Sequence, residues 1–343
     1  MMNLSAAISE NFPTKKIVVV GDLVADQFLR GTIARVSREA PVFILRHDET
    51  ETLAGAAANA AVNVASLGGR ATLVGTVGRD ANGRALLEKL HSSGVNCDFV
   101  VVSDEIKTTT KVRVLAGQHY AARQQVIRID YENEAETPAG LQKNLKDNLL
   151  SAVEHADAII ISDYNYGVAN LEIFELAAQI SRKKNVPLLI DSRFRLRDFA
   201  RATTATPNQE EVEQILGKNF TEAGCAELCR RLGYEALLVT RGNNGMLLIE
   251  NGQTPVHFEA VGAKEPVDVT GAGDTVIAAY ALGLASSLSF ADAARAANHA
   301  GGVVVMKKGT ASVDLDELLA SIEKYKEESK VESQRSKSVD FDL

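Results

Sequence analysis

The chain has 343 residues, 45% of them hydrophobic and 24% charged, with a formal net charge of −8 at pH 7. This length allows one large α/β domain or two ordinary ones around a sizeable core, and the acidic balance excludes a general nucleic-acid binder, which needs a basic face for phosphates. Three cysteines make no disulfide framework and fit a reducing cytosol; Cys225 and Cys229 share a helix face, but no nearby His or further Cys completes a metal site.

The opening MMNLSAAISENFPTKK has no early basic region and no continuous apolar stretch, so it does not resemble a secretion signal. No apolar run reaches the ~18 residues that span a membrane. The expectation is a soluble cytoplasmic protein whose partners are small solutes, not membranes or nucleic acid, with residues 1–14 as an N-terminal extension.

Lys16 to Val20 (KIVVV) is short, apolar and β-branched, and Gly21-Asp22 closes it: a buried central strand with an aspartate at its carboxyl end. Ligands of open α/β sheets bind outside those ends, so Asp22 is a candidate site residue, although it also fits as the cap of a turn. Segments 27–47 (with PVFILRH) and 98–131 (with KTTTKVRVLAG and QQVIRIDYE) are strand-like without helical patterning, and are read as a small second sheet, a lid. Helical segments over 56–67 and 82–92 follow the first strand, and ADAIIISDY, a helix to Lys184, VPLLIDS, ATTATPN, helices to Leu216 and Leu232, and EALLVTRG continue the alternation. This predicts a mostly parallel sheet with helices on both faces, a three-layer α/β/α sandwich carrying a lid, over residues 15–324. The alanine-rich stretch from Gly271 to Val305 reads as two helices, and the mixed-charge tail over 325–343 as a frayed helix end followed by disorder.

The chemistry concentrates in Asp268-Val-Thr-Gly-Ala-Gly-Asp-Thr-Val-Ile-Ala-Ala-Tyr-Ala281. A glycine-rich turn running into a helix aims the amides of Gly271, Ala272 and Gly273 at an anion. Asp274, on the first turn beside that anion hole, could accept the proton of an attacking hydroxyl. An isolated GxGD serves equally well as a helix start whose Asp complements the macrodipole.

This segment resembles the C-terminal signature of the PfkB, ribokinase-like carbohydrate kinases, and Ala54-Gly-Ala-Ala-Ala-Asn59, followed by Gly68 and Gly78, resembles their N-terminal signature. The resemblance implies an ATP-dependent kinase with Asp274 as base. It also implies a sugar site that includes Asp22 and Asp26, with Gly55 beginning a helix and Asn59 presenting its amide one turn later. Thr206-Pro-Asn208-Gln-Glu-Glu211 looks like the family's nucleotide and magnesium segment, with Asn208 and Glu211 serving Mg²⁺ partly through water; Asn208 is equally a helix N-cap. Thr240, Gly242 and Gly245 resemble the phosphate loop, although a plain hairpin turn explains the glycines too. Asn298 lies where the family meets adenine, and Asp268 with the Thr270 carbonyl corresponds to part of a monovalent-cation (K⁺) site found in several members.

VVGDLVADQFLRG, RVSREAPVFIL, TKVRVLAGQ, QVIRIDYE and ISDYNYG look like the branch that phosphorylates O1 of D-glycero-D-manno-heptose 7-phosphate on the way to ADP-heptose and lipopolysaccharide. Such a substrate brings its own dianion, for which Arg35, Arg38, Lys111, Arg113 and Arg128 are the candidate cations. The sequence departs from the branch in its Ala54-Gly55 followed by an extra Ala, where GG is usual, and in Asp191-Ser192-Arg193 at a strand end. It also lacks the nucleotidyltransferase domain of bifunctional members, which implies a stand-alone kinase. The exposed lid strands suggest a homodimer. Two other readings stay open: a kinase of the same family for another sugar, and a non-catalytic sugar or nucleotide sensor. The absence of G-x-G-x-x-G after the first strand speaks against a dinucleotide oxidoreductase.

Overall fold

The computed structural model describes residues 4–118, 123–133, 137–262 and 265–326. In chain order the elements are α1 (Leu4–Asn11), β1 (Lys16–Gly21), β2 (Leu23–Val36), β3 (Phe43–Ala56), α2 (Ala57–Ser66), β4 (Arg70–Gly78), α3 (Ala81–Ser92), β5 (Asn96–Ser103), β6 (Thr110–Gly117) and β7 (Gln124–Tyr131). There follow α4 (Ala139–Ala152), β8 (Ala158–Asp163), α5 (Leu171–Lys184), β9 (Leu188–Ser192), β10 (Thr204–Ala205), α6 (Gln209–Leu216), α7 (Glu222–Leu232), β11 (Ala236–Thr240), β12 (Met246–Glu250), β13 (Val256–Phe258), α8 (Ala272–Ala285) and α9 (Phe290–Val304). A further helix covers 315–326.

Nine strands form one sheet in the order β13-β12-β11-β10-β9-β8-β1-β4-β5. Its pairs are parallel except β11 with β12 and β12 with β13. The alternation along β1 shows how both faces are buried: Ile17 and Val19 join a core with α2, α8 and α9, whereas Val18 and Val20 join one with α4, α5 and α7. Parallel strands covered on both sides need this unbroken apolar run. The expected α/β sandwich is therefore the observed one, and the carboxyl ends of β1, β8, β9 and β11 open on one edge.

The second sheet, β3-β2-β6-β7, extends from that edge. It begins at Leu23 rather than at 27, and β3 runs on to Ala56. The second expected lid segment divides: Asn96–Ser103 pairs in parallel with β4 as the edge of the main sheet, and only β6 and β7 join the lid. Alternating apolar residues alone do not tell which sheet a strand enters. The expected N-terminal extension, described from residue 4, packs onto the domain: Leu4, Ala7, Ile8 and Phe12 are buried in the α2–α8 core. Of the tail, 327–343 lies outside the described residues.

At the junction of lid and main sheet, Gly55 is the penultimate residue of β3, not the start of a helix; α2 begins at Ala57. A Cβ on Gly55 would meet Asp26 Oδ2 at 2.8 Å, so glycine is what allows β3 to pass that carboxylate. Ala56 follows at φ 55°, ψ −133°, a region that side chains other than glycine rarely adopt. Ala56→Gly should relieve this and raise stability by about 1 kcal/mol, read as a higher midpoint in urea. A lower midpoint would mean that the buried methyl contributes more than the backbone strain costs.

Candidate active site

Asp274 lies on the first turn of α8, 3% exposed, at the mouth of the sheet's open edge. Two side chains hold its carboxylate: Asn59 Nδ2 donates to Oδ2 at 2.7 Å and the Tyr164 hydroxyl donates to Oδ1 at 3.2 Å. The Asn59 amide has a fixed orientation. Thr275 Oγ1 donates to Asn63 Oδ1 (2.8 Å), so Asn63 presents its amide nitrogen to Asn59 Oδ1 (3.2 Å), and Asn59 in turn has only its nitrogen to offer Asp274. Asn59, expected near the sugar, is 1% exposed, and its amide is turned to Asp274.

The turn before α8 depends on Gly271, whose φ of 77° would strain any L side chain and whose Cβ would sit 2.5 Å from Asn59 Nδ2. The Ala272 N–H is engaged by the Val269 carbonyl at 3.2 Å, so the expected three-amide anion hole narrows to Gly271 and Gly273, which border the cleft. Asp268 braces this turn, accepting from the amides of Thr270 and Gly309 at 2.9 Å each. These amides hold its carboxyl below the usual range although burial works against them.

The cleft beside Asp274, about 300 Å³, is lined by Tyr164, Asp191, Arg193, Asn208, Glu211, Thr240, Gly271 and Gly273 among others. Backbone pairing explains the company: Thr240 N donates to Pro207 O (2.9 Å), bringing the end of β11 beside Asn208. Asn208 and Glu211 form a reciprocal capping box on α6, 2.9 and 2.8 Å, so the pair is structural in this state and faces the cleft as well. Thr240 and Gly273 also border an adjoining, more apolar hollow of about 160 Å³, reached by Gly242, Gly245, Val261, Val276 and Asn298. Asn298 donates to the Glu259 carbonyl at 2.7 Å. The expected nucleotide residues thus fall on one continuous groove.

Among the described residues, no three His, Cys, Asp or Glu side chains converge as a closed metal site. What the cleft offers a cation is oxygen. Burial, then the charge of Asp163, pushes Asp191 up to about 7; burial, then the charge of Asp191, pushes both Glu211 and Asp274 up to about 8. A few mutually repelling carboxylates suit Mg²⁺, which keeps waters and meets protein through one or two oxygens.

Asp26 is the carboxylate on the lid's own strand β2. It pairs with Arg113 at 2.6 Å, lies 3.2 Å from Thr310 Oγ1, and its charge adds to the upward push on Asp274. Of the two readings open for Asp22, the structure shows the turn-organising one directly. Both its oxygens are taken by backbone N–H groups, Oδ2 by Tyr164 (2.8 Å) and Tyr166 (3.0 Å) and Oδ1 by Val168 (3.0 Å), so it organises the loop after β8. Asp163 anchors the same loop, accepting from Ser192 Oγ at 2.7 Å and pairing with Arg195. The lid cations separate too. Arg128 is forked onto Asp130, and Arg35 lies nine residues beyond Asp26 along β2, about 30 Å away at ~3.3 Å per residue, with exposed Arg38 beyond it. Lys111 rests on the faces of Tyr164 and Tyr166, 5.9 and 5.6 Å from their ring centres. Sequence reasoning missed Tyr164 and Asp191 as site residues; the signal was their place at or just past the carboxyl ends of β8 and β9.

The folded-state values of Asp274, Glu211 and Asp191 lie above those of an unfolded chain, so the folded protein binds more protons between about pH 4 and pH 8. The associated stability is complete below the ordinary carboxylate range and lost as pH rises through 7–8. The melting temperature should therefore fall from about pH 6 to about pH 9, and less steeply in Asp274→Asn; a slope identical in the two proteins would refute the assignment.

The sequence matches the family described as "pfkB family carbohydrate kinase" over residues 14–317. It is 41% identical over 319 residues to the "Bifunctional protein HldE" of Histophilus somni and 41% identical over 320 residues to that of Haemophilus influenzae. These matches cover 90% and 91% of this chain, which spans 64% of each relative's length. In structure it is similar to Arabidopsis thaliana ribokinase complexed with ribose and ATP (TM-score 0.67, 23% identity, 90% of this chain and 98% of that one). It is also similar to Escherichia coli phosphofructokinase-2 in complex with potassium (TM-score 0.70, 18% identity, 89% and 96%). With its sheet, its lid and the groove that ends at Asp274, the chain belongs to the pfkB family of carbohydrate kinases, phosphotransferases that act on sugar hydroxyls.

Proposed function

We propose that the protein transfers the γ-phosphoryl group of ATP to O1 of D-glycero-D-manno-heptose 7-phosphate, giving the 1,7-bisphosphate used for ADP-heptose and lipopolysaccharide precursors. The observation that carries the kinase chemistry is the placement of a fixed, buried carboxylate, Asp274, beside amides at a helix start and at the end of a groove long enough for a nucleotide. The heptose is supported by the sequence blocks described above and by the similarity to HldE.

In this reading Asp274 takes the proton of the O1 hydroxyl as that oxygen bonds to phosphorus and the bond to the leaving ADP breaks. Gly271 and Gly273 meet the charge on the transferring group, and Asn208, Thr240, Gly242, Gly245 and Asn298 hold the nucleotide. Glu211, with Asp191 and Asn208, would hold Mg²⁺, which neutralises phosphate charge. Asp268 and the Thr270 carbonyl would serve a monovalent cation bracing the turn. Asp26 and Gly55 border the sugar. Among the five lid cations Lys111 is the best placed for the distal phosphate, because among the described residues its ammonium pairs with no carboxylate, whereas Arg113 and Arg128 are engaged by Asp26 and Asp130.

The lid's edge strands β3 and β7 carry exposed Phe43 (58%), Ile127 (54%) and Tyr131 (54%), which supports a homodimer built lid to lid. Among the described residues no helix is long and apolar enough to cross a membrane.

A substrate panel with Mg·ATP tests the assignment. Heptose 7-phosphate should give the highest kcat/KM, and a much higher value for ribose, fructose or another sugar phosphate would replace the substrate while leaving the kinase. Because Asp274 must lose its proton to act and its carboxyl is pushed up to about 8, kcat/KM for the free enzyme should rise from about pH 6 to about pH 8.5. A flat profile across that range would contradict its role.

A further inference from the structure

The loop after β8 is tied down more firmly than a connection between a strand and a helix requires. Three successive-but-one amides, those of Tyr164, Tyr166 and Val168, converge on the buried Asp22 carboxylate at the end of the neighbouring strand β1. Beside it, Asp163 is locked by Ser192 and Arg195, and Arg195 also donates to the Ala169 carbonyl at 2.9 Å. Between these anchors Asn165 adopts φ 63°. The one side chain this clamp delivers to the reacting carboxylate is Tyr164, whose hydroxyl reaches Asp274 Oδ1.

From this geometry we infer that Tyr164 is a positioning residue for the base: its hydroxyl, set in place by the Asp22 clamp, fixes the rotation of the Asp274 carboxylate opposite Asn59. A carboxylate bonded through one oxygen alone can swing about its Cβ–Cγ bond. Asn59 holds Oδ2; Tyr164 supplies the second point and leaves Oδ1 a lone pair for the incoming hydroxyl. Asp22 thus acts on the reaction through the loop and not through the sugar. The inference rests on the role proposed for Asp274 as proton acceptor, and it holds for whichever sugar the enzyme phosphorylates.

Tyr164→Phe isolates the hydroxyl, because the ring that carries Lys111 on its face is retained. On the best substrate of the panel, kcat should fall about tenfold to a hundredfold, as expected for losing one hydrogen bond to a charged group, while KM for sugar and for ATP changes less than about twofold and the melting temperature stays within about two degrees. Asp22→Asn should lower kcat in the same manner. The double variant should be no slower than the slower single one, because both act through one contact. An unchanged kcat in Tyr164→Phe, a rise in KM matching the loss of kcat, or multiplying effects of the two substitutions would overturn the inference. Should wild-type enzyme prefer another sugar, the heptose assignment falls and Tyr164 is judged on that sugar; should Asp274→Asn keep full turnover, the base assignment itself falls.

Discussion

A carboxylate that is to take a proton from a sugar hydroxyl must be poorly hydrated, so that it holds the proton, and immobile, so that it is within reach. Asp274 combines the two. Its burial raises its proton affinity, the charge of Asp191 raises it further, and the donors Asn59 and Tyr164 draw it back toward the ionised form while fixing its direction. Much of the surrounding architecture serves this balance. The Thr275–Asn63–Asn59 chain of hydrogen bonds, buried between α2 and α8, settles which end of an amide faces Asp274. Gly271 gives Asn59 room to approach.

The same economy places different carboxylates in different roles. Asp22, Asp26, Asp163, Asp191 and Asp274 gather at one edge of the sheet, and three of them are held by their own partners: backbone amides for Asp22, Arg113 for Asp26, Arg195 and Ser192 for Asp163. Asp191 keeps an elevated proton affinity for want of such partners, as does Glu211, whose backbone bond does not offset its burial. Paired carboxylates build the scaffold; under-compensated ones stay available to cations and protons.

The sandwich was legible because β1, β8, β9 and β11 are short apolar runs separated by helical periodicity, and a lid because 27–47 and 98–131 break it. The edge strand Asn96–Ser103 was not, since an alternating strand is compatible with either sheet and only pairing with β4 decides. Of the candidate site, the place of Asp274 could be read from a glycine turn, and that of Asn208, Thr240, Gly242, Gly245 and Asn298 from the family resemblance; all of them line the same groove. Asp22 was placed at the right strand end, with a sugar site and a turn cap both open; strand-end position says where a carboxylate lies and not which amides reach it, and the amides of Tyr164, Tyr166 and Val168 are what the fold adds. For Tyr164 the place just past β8 was legible but the partner was not: its link to Asp274 joins residues 110 positions apart through a loop folded on Asp22.

The central claim is that Asp274 accepts the proton in phosphoryl transfer and is not merely the acidic cap of α8. Replacing it by Asn keeps the shape and a hydrogen-bonding oxygen but removes the base. Turnover of Asp274→Asn should fall by roughly 10²–10⁴-fold, while its affinities for ATP and sugar phosphate, measured by calorimetry on the same preparation, stay close to those of the unaltered protein. Near-normal turnover with unchanged binding would contradict the account.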